Sequence, residues 1–360
     1  MTSQPQDLVI TGVGLRCSVG QNAIQSCASI RAGISRFIEW THFGMAFGEE
    51  GVLVVGAPLA PDPGDHSWIE KARDLTLQPL YECLWNASLH ENRPGGRPPR
   101  VTLYLGTPPL DREGVDPDDA AGYAEAADQP DWVPIPLERV VRIEEDTCAV
   151  LRLLNTARSD IVEGRTDVAV VGGFDSHLQS EHLYSLFDLD RLKTAMSPSG
   201  LVPGEAGGFV AVETVSHARA RGVTALGRLY SLEVDETSEG YDLEAPTTGD
   251  RLAAVLARVV AGARCDVKGI RRVLADLNGE RWRFLEWAFA DARALQGLAK
   301  DCRVLHPADC IGDVGAATGA VLLTVAVRAF QRGYAQSNAL ILATSSDTGA
   351  RAAACVSPTS

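Results

Sequence analysis

Apolar positions along this chain fall into two alternating patterns. Short β-branched blocks closed by glycine occur at residues 7–14 (DLVITGVG), 101–106 (VTLYLG) and 167–173 (DVAVVGG), another opens on glycine at 208–215, and each predicts a buried strand. Between them, apolar residues recur every three or four positions over residues 22–33, 68–89 and 149–162, which predicts helices. The most ordered stretch is residues 143–173, IEEDTCAVLRLLNTARSDIVEGRTDVAVVGG, read as loop, buried helix and strand. Thr147 and Cys148 stand at the start of that helix, where free backbone N–H groups create positive potential. A thiol placed there is biased toward thiolate. The plainer reading makes Cys148 a small buried hydrophobe and Thr147 an N-cap.

Elsewhere the pattern is weaker. Residues 36–63 are irregular, with a short strand at 51–56, and residues 108–136 are rich in Asp, Pro and Gly around a short helix at 119–127. That second segment reads as a surface excursion. A helix over 183–192 leads into a turn-rich loop at 196–208, whose Pro203, Gly204, Gly207 and Gly208 imply close backbone approach. Composition breaks near Arg221. Beyond it the order repeats: strand 226–234, helix 250–263, strand 272–277, helix 283–299, an extended piece at 303–305, a long apolar helix at 313–333, then strands 338–344 and 352–356. The repetition predicts an α/β protein built from a duplicated unit, divided as residues 1–220 and 221–360.

Composition narrows the function classes. The 360 residues are 45% hydrophobic and 22% charged, enough for one large core or two moderate ones. A net charge of −14 argues against nucleic acid or an anionic membrane surface as partner. The eight cysteines are scattered without a CxxC pair, which suits reduced thiols and a cytoplasmic location. Neither an export signal nor a membrane-inserting segment is read from the sequence. GVGLRCSVG lacks the GxGxxG spacing of a dinucleotide site. His177, His182 and His306 lack the spacing of converging zinc ligands, so neither metal nor cofactor is expected. Ser197 sits in AMSPSG, without a GxSxG elbow.

Four segments, in order, resemble the β-ketoacyl-ACP synthases of the thiolase-like superfamily: DLVITGVGLRCSVGQNAIQSCASIRAGIS, IVEGRTDVAVVGGFDS, RLKTAMSPSGLVPGEAGGFVAVE and GDVGAATGAVLLTVAVRAFQRG. The resemblance implies a five-layer αβαβα arrangement of two duplicated halves, usually assembled as a homodimer. It also implies a Cys nucleophile at the central helix start and two His residues that stabilise an oxyanion, supported by a Lys. Counted along the shared motifs, the nucleophile position falls on Thr147, with Cys148 one residue away. The His positions fall on Asn278 and Asp313, the Lys position on Ala308, and the closing glycine-rich turn is replaced by SSDTGARAAA.

An oxyanion-hole donor contributes roughly 3–4 kcal/mol, so losing two costs several orders of magnitude in rate. A carboxylate at Asp313 would add repulsion. The pocket therefore reads as rebuilt from Thr147, Cys148, Asn278, Glu280, Asp313 and Asp347, with Arg281, Arg283 and Arg351 nearby. The run NGERWRFLEW admits two readings: a grip on phosphate or a partner surface, or a helix start with Glu–Arg pairing and packed tryptophans. Three expectations follow for function. The first is a ketosynthase-like protein with a dismantled condensing site that binds a partner protein or an acyl group. The second is an acyltransferase or thioester hydrolase using Cys148 as acyl acceptor, and the third an adaptor belonging to a secretion or biosynthetic gene cluster. The expected partners are an acyl carrier protein or acyl-CoA, with a homodimer or a heterodimer with a ketosynthase-like chain.

Overall fold

The glycine-closed apolar blocks become the inner strands of a large mixed sheet. The computed structural model describes residues 7–39, 54–59, 67–90, 97–128, 133–237 and 247–359. Its strands are β1 (Leu8–Cys17), β2 (Ile38–Glu39), β3 (Val55–Gly56), β4 (Val101–Thr107), β5 (Arg139–Glu144), β6 (Val168–Ser176), β7 (Glu205–Thr214), β8 (Gly227–Asp235), β9 (Arg272–Ala275), β10 (Arg303–Leu305), β11 (Leu340–Ser345) and β12 (Arg351–Ser357). The helices are α1 (Ala23–Arg31), α2 (Trp68–Asn86), α3 (Pro117–Asp128), α4 (Ala149–Val162), α5 (Ser180–Asp188), α6 (Val215–Arg221), α7 (Asp250–Ala261), α8 (Arg281–Ala294), α9 (Ala308–Ile311) and α10 (Thr318–Gln331).

Two halves carry one topology. In the first, strands run β5-β4-β6-β7-β1, and in the second β10-β9-β11-β12-β8. In both, the first two neighbour pairs are parallel and the last two antiparallel. The duplication expected from element order is thus present strand for strand. The halves meet where Leu8, Val9 and Ile10 of β1 pair with Leu229, Arg228 and Gly227 of β8. Helices α4 and α10 touch strands of both halves, while α2 and α3 cover the outer face of the first and α7, backed by α8, that of the second. This is the five-layer αβαβα arrangement. It explains why α10 is buried almost all round, from Thr318 to Val327, whereas α7 shows a one-sided stripe of Leu252, Val255, Leu256 and Val259.

Close approach needs glycine at particular points. A Cβ on Gly207 would lie 1.7 Å from the Leu75 carbonyl oxygen, and one on Gly14 would lie 1.9 Å from that of Pro79. Pro79 lies inside α2 and has no N–H to donate to Leu75, so this carbonyl is left to face the sheet.

The structure revises three expected elements. The described residues of the 108–136 segment are not a solvent excursion: Ala120, Tyr123 and Ala127 of α3 are buried together with Val115, Val133 and Ile135, and Tyr123 shares a 2.8 Å hydrogen bond with Thr76 of α2. The expected 313–333 helix begins only at Thr318, because Gly312 (φ 73°) and Gly315 (φ 42°) take left-handed conformations that an α-helix cannot continue through. Helix α5 stops at Asp188, ahead of Asp190 with φ 53°. Of the expected strand at 51–56, residues 51–53 lie outside the described residues, and Val55–Gly56 pairs with Ile38–Glu39.

Candidate functional site

The ends of β9 and β11 and the starts of α4, α8 and α10 meet at one buried polar cluster. Thr147 and Cys148 precede α4 and are both buried. Thr147 Oγ1 donates to the Ser345 carbonyl at 2.9 Å, so it does not cap the helix. Cys148 occupies the N-cap position, with Sγ 3.3 Å from Thr344 Oγ1 and 3.4 Å from the Ala350 carbonyl. Burial, reinforced by the Asp146 charge, pushes its thiol well above the usual range. The thiolate bias expected from a helix start is overridden, because desolvation of the anion outweighs the helix potential.

Asn278 and Asp313 touch directly. Asn278 Nδ2 donates to Asp313 Oδ2 at 2.6 Å and to Glu280 Oε2 at 2.9 Å, and the Gly315 N–H donates to Asp313 Oδ1 at 2.8 Å. His177 Nε2 stands 3.4 Å from the same Oδ1. Burial opposes ionisation of Asp313, but the His177 and Asn278 contacts and the Arg283 charge overcome it and hold the carboxyl below its ordinary range. The cavity against Asp276, Asn278, Ala308 and Asp313 measures about 20 Å³. By that measure it holds about one water molecule.

Around this contact runs a network of charges. Arg191 Nε reaches Glu280 Oε1 at 2.6 Å, and its NH2 lies 2.6 Å from Asp347 Oδ2. The Arg283 side chain is only 2% exposed; it donates to Asp276 at 2.7 Å, to Asp347 at 3.0 Å and to the Ser345 carbonyl. That carbonyl therefore joins the start of α4 to α8. Arg351 pairs with Glu286 at 2.7 Å, and the Trp282 ring centroid lies 4.5 Å from the guanidinium of Arg283 and 5.8 Å from that of Arg351.

Among the expected residues, Thr147, Asn278, Glu280, Arg283, Asp313 and Asp347 join through these contacts. Arg351 belongs to a neighbouring pair, and Arg281 is exposed. Residues two apart on a helix point about 200° away from each other, so Arg281 and Arg283 cannot both face inward. Trp282 and Trp287 are buried, in keeping with the packed reading of NGERWRFLEW. Arg191 and Asp276 are missed by sequence reasoning, which weighs His177 and His182 only as zinc ligands. His177 Nδ1 and His182 Nε2 lie 2.9 Å apart, one donating and one accepting. Burial, aided by the His177 charge, holds His182 well below its ordinary range. Among the described residues no cluster of three or more His, Cys, Asp or Glu has the geometry of a metal site.

Two carboxylates shift the other way. Burial and the neighbouring Asp347 charge push Asp146 from 3.8 up to about 6, and burial raises Asp276 to about 6 against the pull of Arg283. A raised carboxyl binds its proton more tightly in the folded state, so its contribution to stability is present at low pH and is lost as pH rises from about 4 to 6. Asp146→Asn removes that loss while keeping an acceptor for the Asp347 N–H. The variant's stability relative to the parent is expected to increase between pH 4 and pH 7 in urea titrations. A pH-independent difference would show that Asp146 ionises normally.

No family model matches this chain. The 3-oxoacyl-[acyl-carrier-protein] synthase 2 of Mycobacterium tuberculosis is 28% identical over 194 residues, covering 47% of this chain and 43% of that protein. Its Mycobacterium leprae counterpart is 29% identical over 187 residues, with the same coverage. The match spans less than half the length of these relatives. Among solved structures, a chain from the complex of a type II polyketide synthase acyl-carrier protein with its ketosynthase superimposes with a TM-score of 0.82 at 15% identity, over 99% of this chain and 100% of that one. The ishigamide ketosynthase/chain length factor follows at 0.78 and 16%, and a β-ketoacyl synthase from Burkholderia phymatum at 0.76 and 16%, both over 99% of this chain and 100% of theirs. The protein has the thiolase-like fold of the ketosynthases. Within that fold it is a divergent sequence relative of the 3-oxoacyl-ACP synthases.

No described helix is long and apolar enough to cross a membrane.

Proposed function

We propose that this protein is a ketosynthase-like subunit that associates with an acyl carrier protein or a ketosynthase-like chain and does not carry out decarboxylative condensation. The observation that carries the reading is the Asp313 side chain itself, whose Oδ2 accepts from Asn278 at 2.6 Å where the resemblance calls for two oxyanion donors, with His177, Asn278 and Arg283 holding the carboxyl below its ordinary range. A fixed anion there repels the oxyanion that condensation develops, and Asn278 already spends its N–H groups on Asp313 and Glu280. Among the described residues, the cavity against Asn278 and Asp313 measures about 20 Å³, room for a water molecule and far less than an acyl thioester occupies. The buried Cys148, its thiol pushed up, supports the same conclusion. Support for the partners comes from the structural neighbours, one solved with its acyl-carrier protein and one as a ketosynthase/chain length factor.

The test is intact-protein mass spectrometry after incubation with short- and long-chain acyl-CoA and with acyl-ACP, paired with co-elution on carrier protein and ketosynthase. The parent is expected to gain no mass, to release no carbon dioxide from malonyl-ACP, and to co-elute with one of the two proteins. An acyl adduct that disappears in Cys148→Ala would replace this reading with an acyltransferase.

A further inference from the structure

A second cavity, of about 680 Å³, shares only Pro307 with the small one beside Asp313. Its volume lies inside the range of roughly 300–1,000 Å³ common for small-molecule sites. Helix α1 contributes Cys27, Ile30 and Arg31, which share one face through their three- and four-residue spacing. Strand β9 contributes Arg272 and Leu274, two residues apart and so on one face of the sheet. Val304, His306 and Val325 complete the wall beside Tyr334.

The lining is divided in character. Ile30, Leu274, Val304 and Val325 are apolar, while Arg31 and Arg272 bring positive charge. Neither arginine has a carboxylate partner among the described residues, unlike Arg191 and Arg283 of the central cluster. The Arg31 guanidinium is held 4.3 Å from the Tyr334 ring centroid. The acidic side chain of the lining, Asp309, lies 2.9 Å from His306 Nδ1. Two unmatched guanidiniums beside an apolar wall suit an oxyanion, which they bind through bidentate forks, attached to a body that leaves water for that wall.

We propose that this cavity binds a small amphipathic oxyanion, a carboxylate or phosphate head on a short apolar chain. The site does not depend on the chemistry at Asp313, so it stands or falls separately from the condensing-site reading.

Calorimetric titration of the full chain with octanoate, octyl phosphate and octanol tests this. At least one anion is expected to bind ten times or more tightly than octanol, and the better of the two identifies the head group. Arg31→Gln combined with Arg272→Gln is expected to weaken the anion at least tenfold and leave octanol unchanged, with an unaltered urea midpoint. Val304→Trp, which narrows the cavity at its apolar wall and keeps both charges, is expected to weaken both. A diazirine-bearing octanoate should label peptides from α1 or β10. Absence of anion binding, parity with octanol, undiminished binding in either variant, or label confined to other segments would overturn the proposal.

Discussion

Arg283→Met destabilises the protein by about 3–5 kcal/mol, the cost of leaving buried carboxylates without their counter-ion. Methionine keeps an unbranched side chain at the position and removes the guanidinium, with its charge, its hydrogen bonds and its place over the Trp282 ring. Asp276 loses its guanidinium partner at 2.7 Å, Asp347 its partner at 3.0 Å, and the Ser345 carbonyl one of its donors. The deficit should shrink at pH 5 relative to pH 8, because Asp276 already titrates near 6 with the arginine present and rises further without it. Urea unfolding at the two pH values reads this directly. Arg283→Met with Asp276→Asn should recover part of the loss, since the double variant no longer strands that charge. A deficit below 1 kcal/mol, or one that does not change with pH, would mean that the network is solvated and contributes little.

Gly207→Ala is the second large effect, at roughly 3 kcal/mol, the upper end for an overpacked core. The added methyl would lie 1.7 Å from the Leu75 carbonyl oxygen, which is backbone and cannot swing aside. Helix α2 must therefore lift from β7, and the contacts of Leu75 and Leu80 with the sheet loosen together. Gly297→Ala serves as the control, because nothing lies within 4 Å of its Cβ position and its φ is ordinary. Equal urea midpoints for the two variants would refute the close-contact account.

Much of the fold is legible in the sequence because its strands are buried on both faces and read as unbroken apolar runs. The central helices are legible for a related reason: residues 149–162 and 318–331 must present apolar surface to two half-sheets at once. Asn278 and Asp313, read from motif columns, fall in one polar cluster, together with Asp347 from the replaced closing turn. Arg191 was not legible, since its partner Glu280 is 89 residues away and no periodicity links a loop arginine to a distant carboxylate. The His177–His182 contact spans the turn between β6 and α5, where the spacing belongs to neither a strand nor a helix. Of the two readings of Cys148, the buried small hydrophobe is the one the structure shows, and the thiolate reading fails because a helix start announces its potential in sequence whereas burial does not.

The pairing of β1 has a consequence for synthesis on the ribosome. Thr11 hydrogen-bonds to Glu213 across β1 and β7, 202 residues later in the chain, and β8 follows later still. At about 5–20 residues per second, that interval lasts roughly 10–40 s. Throughout it the first strand, LVITGVGLRC, has neither of its sheet neighbours and only one charge to keep it soluble. Among the described strands this central one emerges first and must wait for both neighbours, so the nascent chain presents a long-lived aggregation-prone segment that a holding chaperone would be suited to shield.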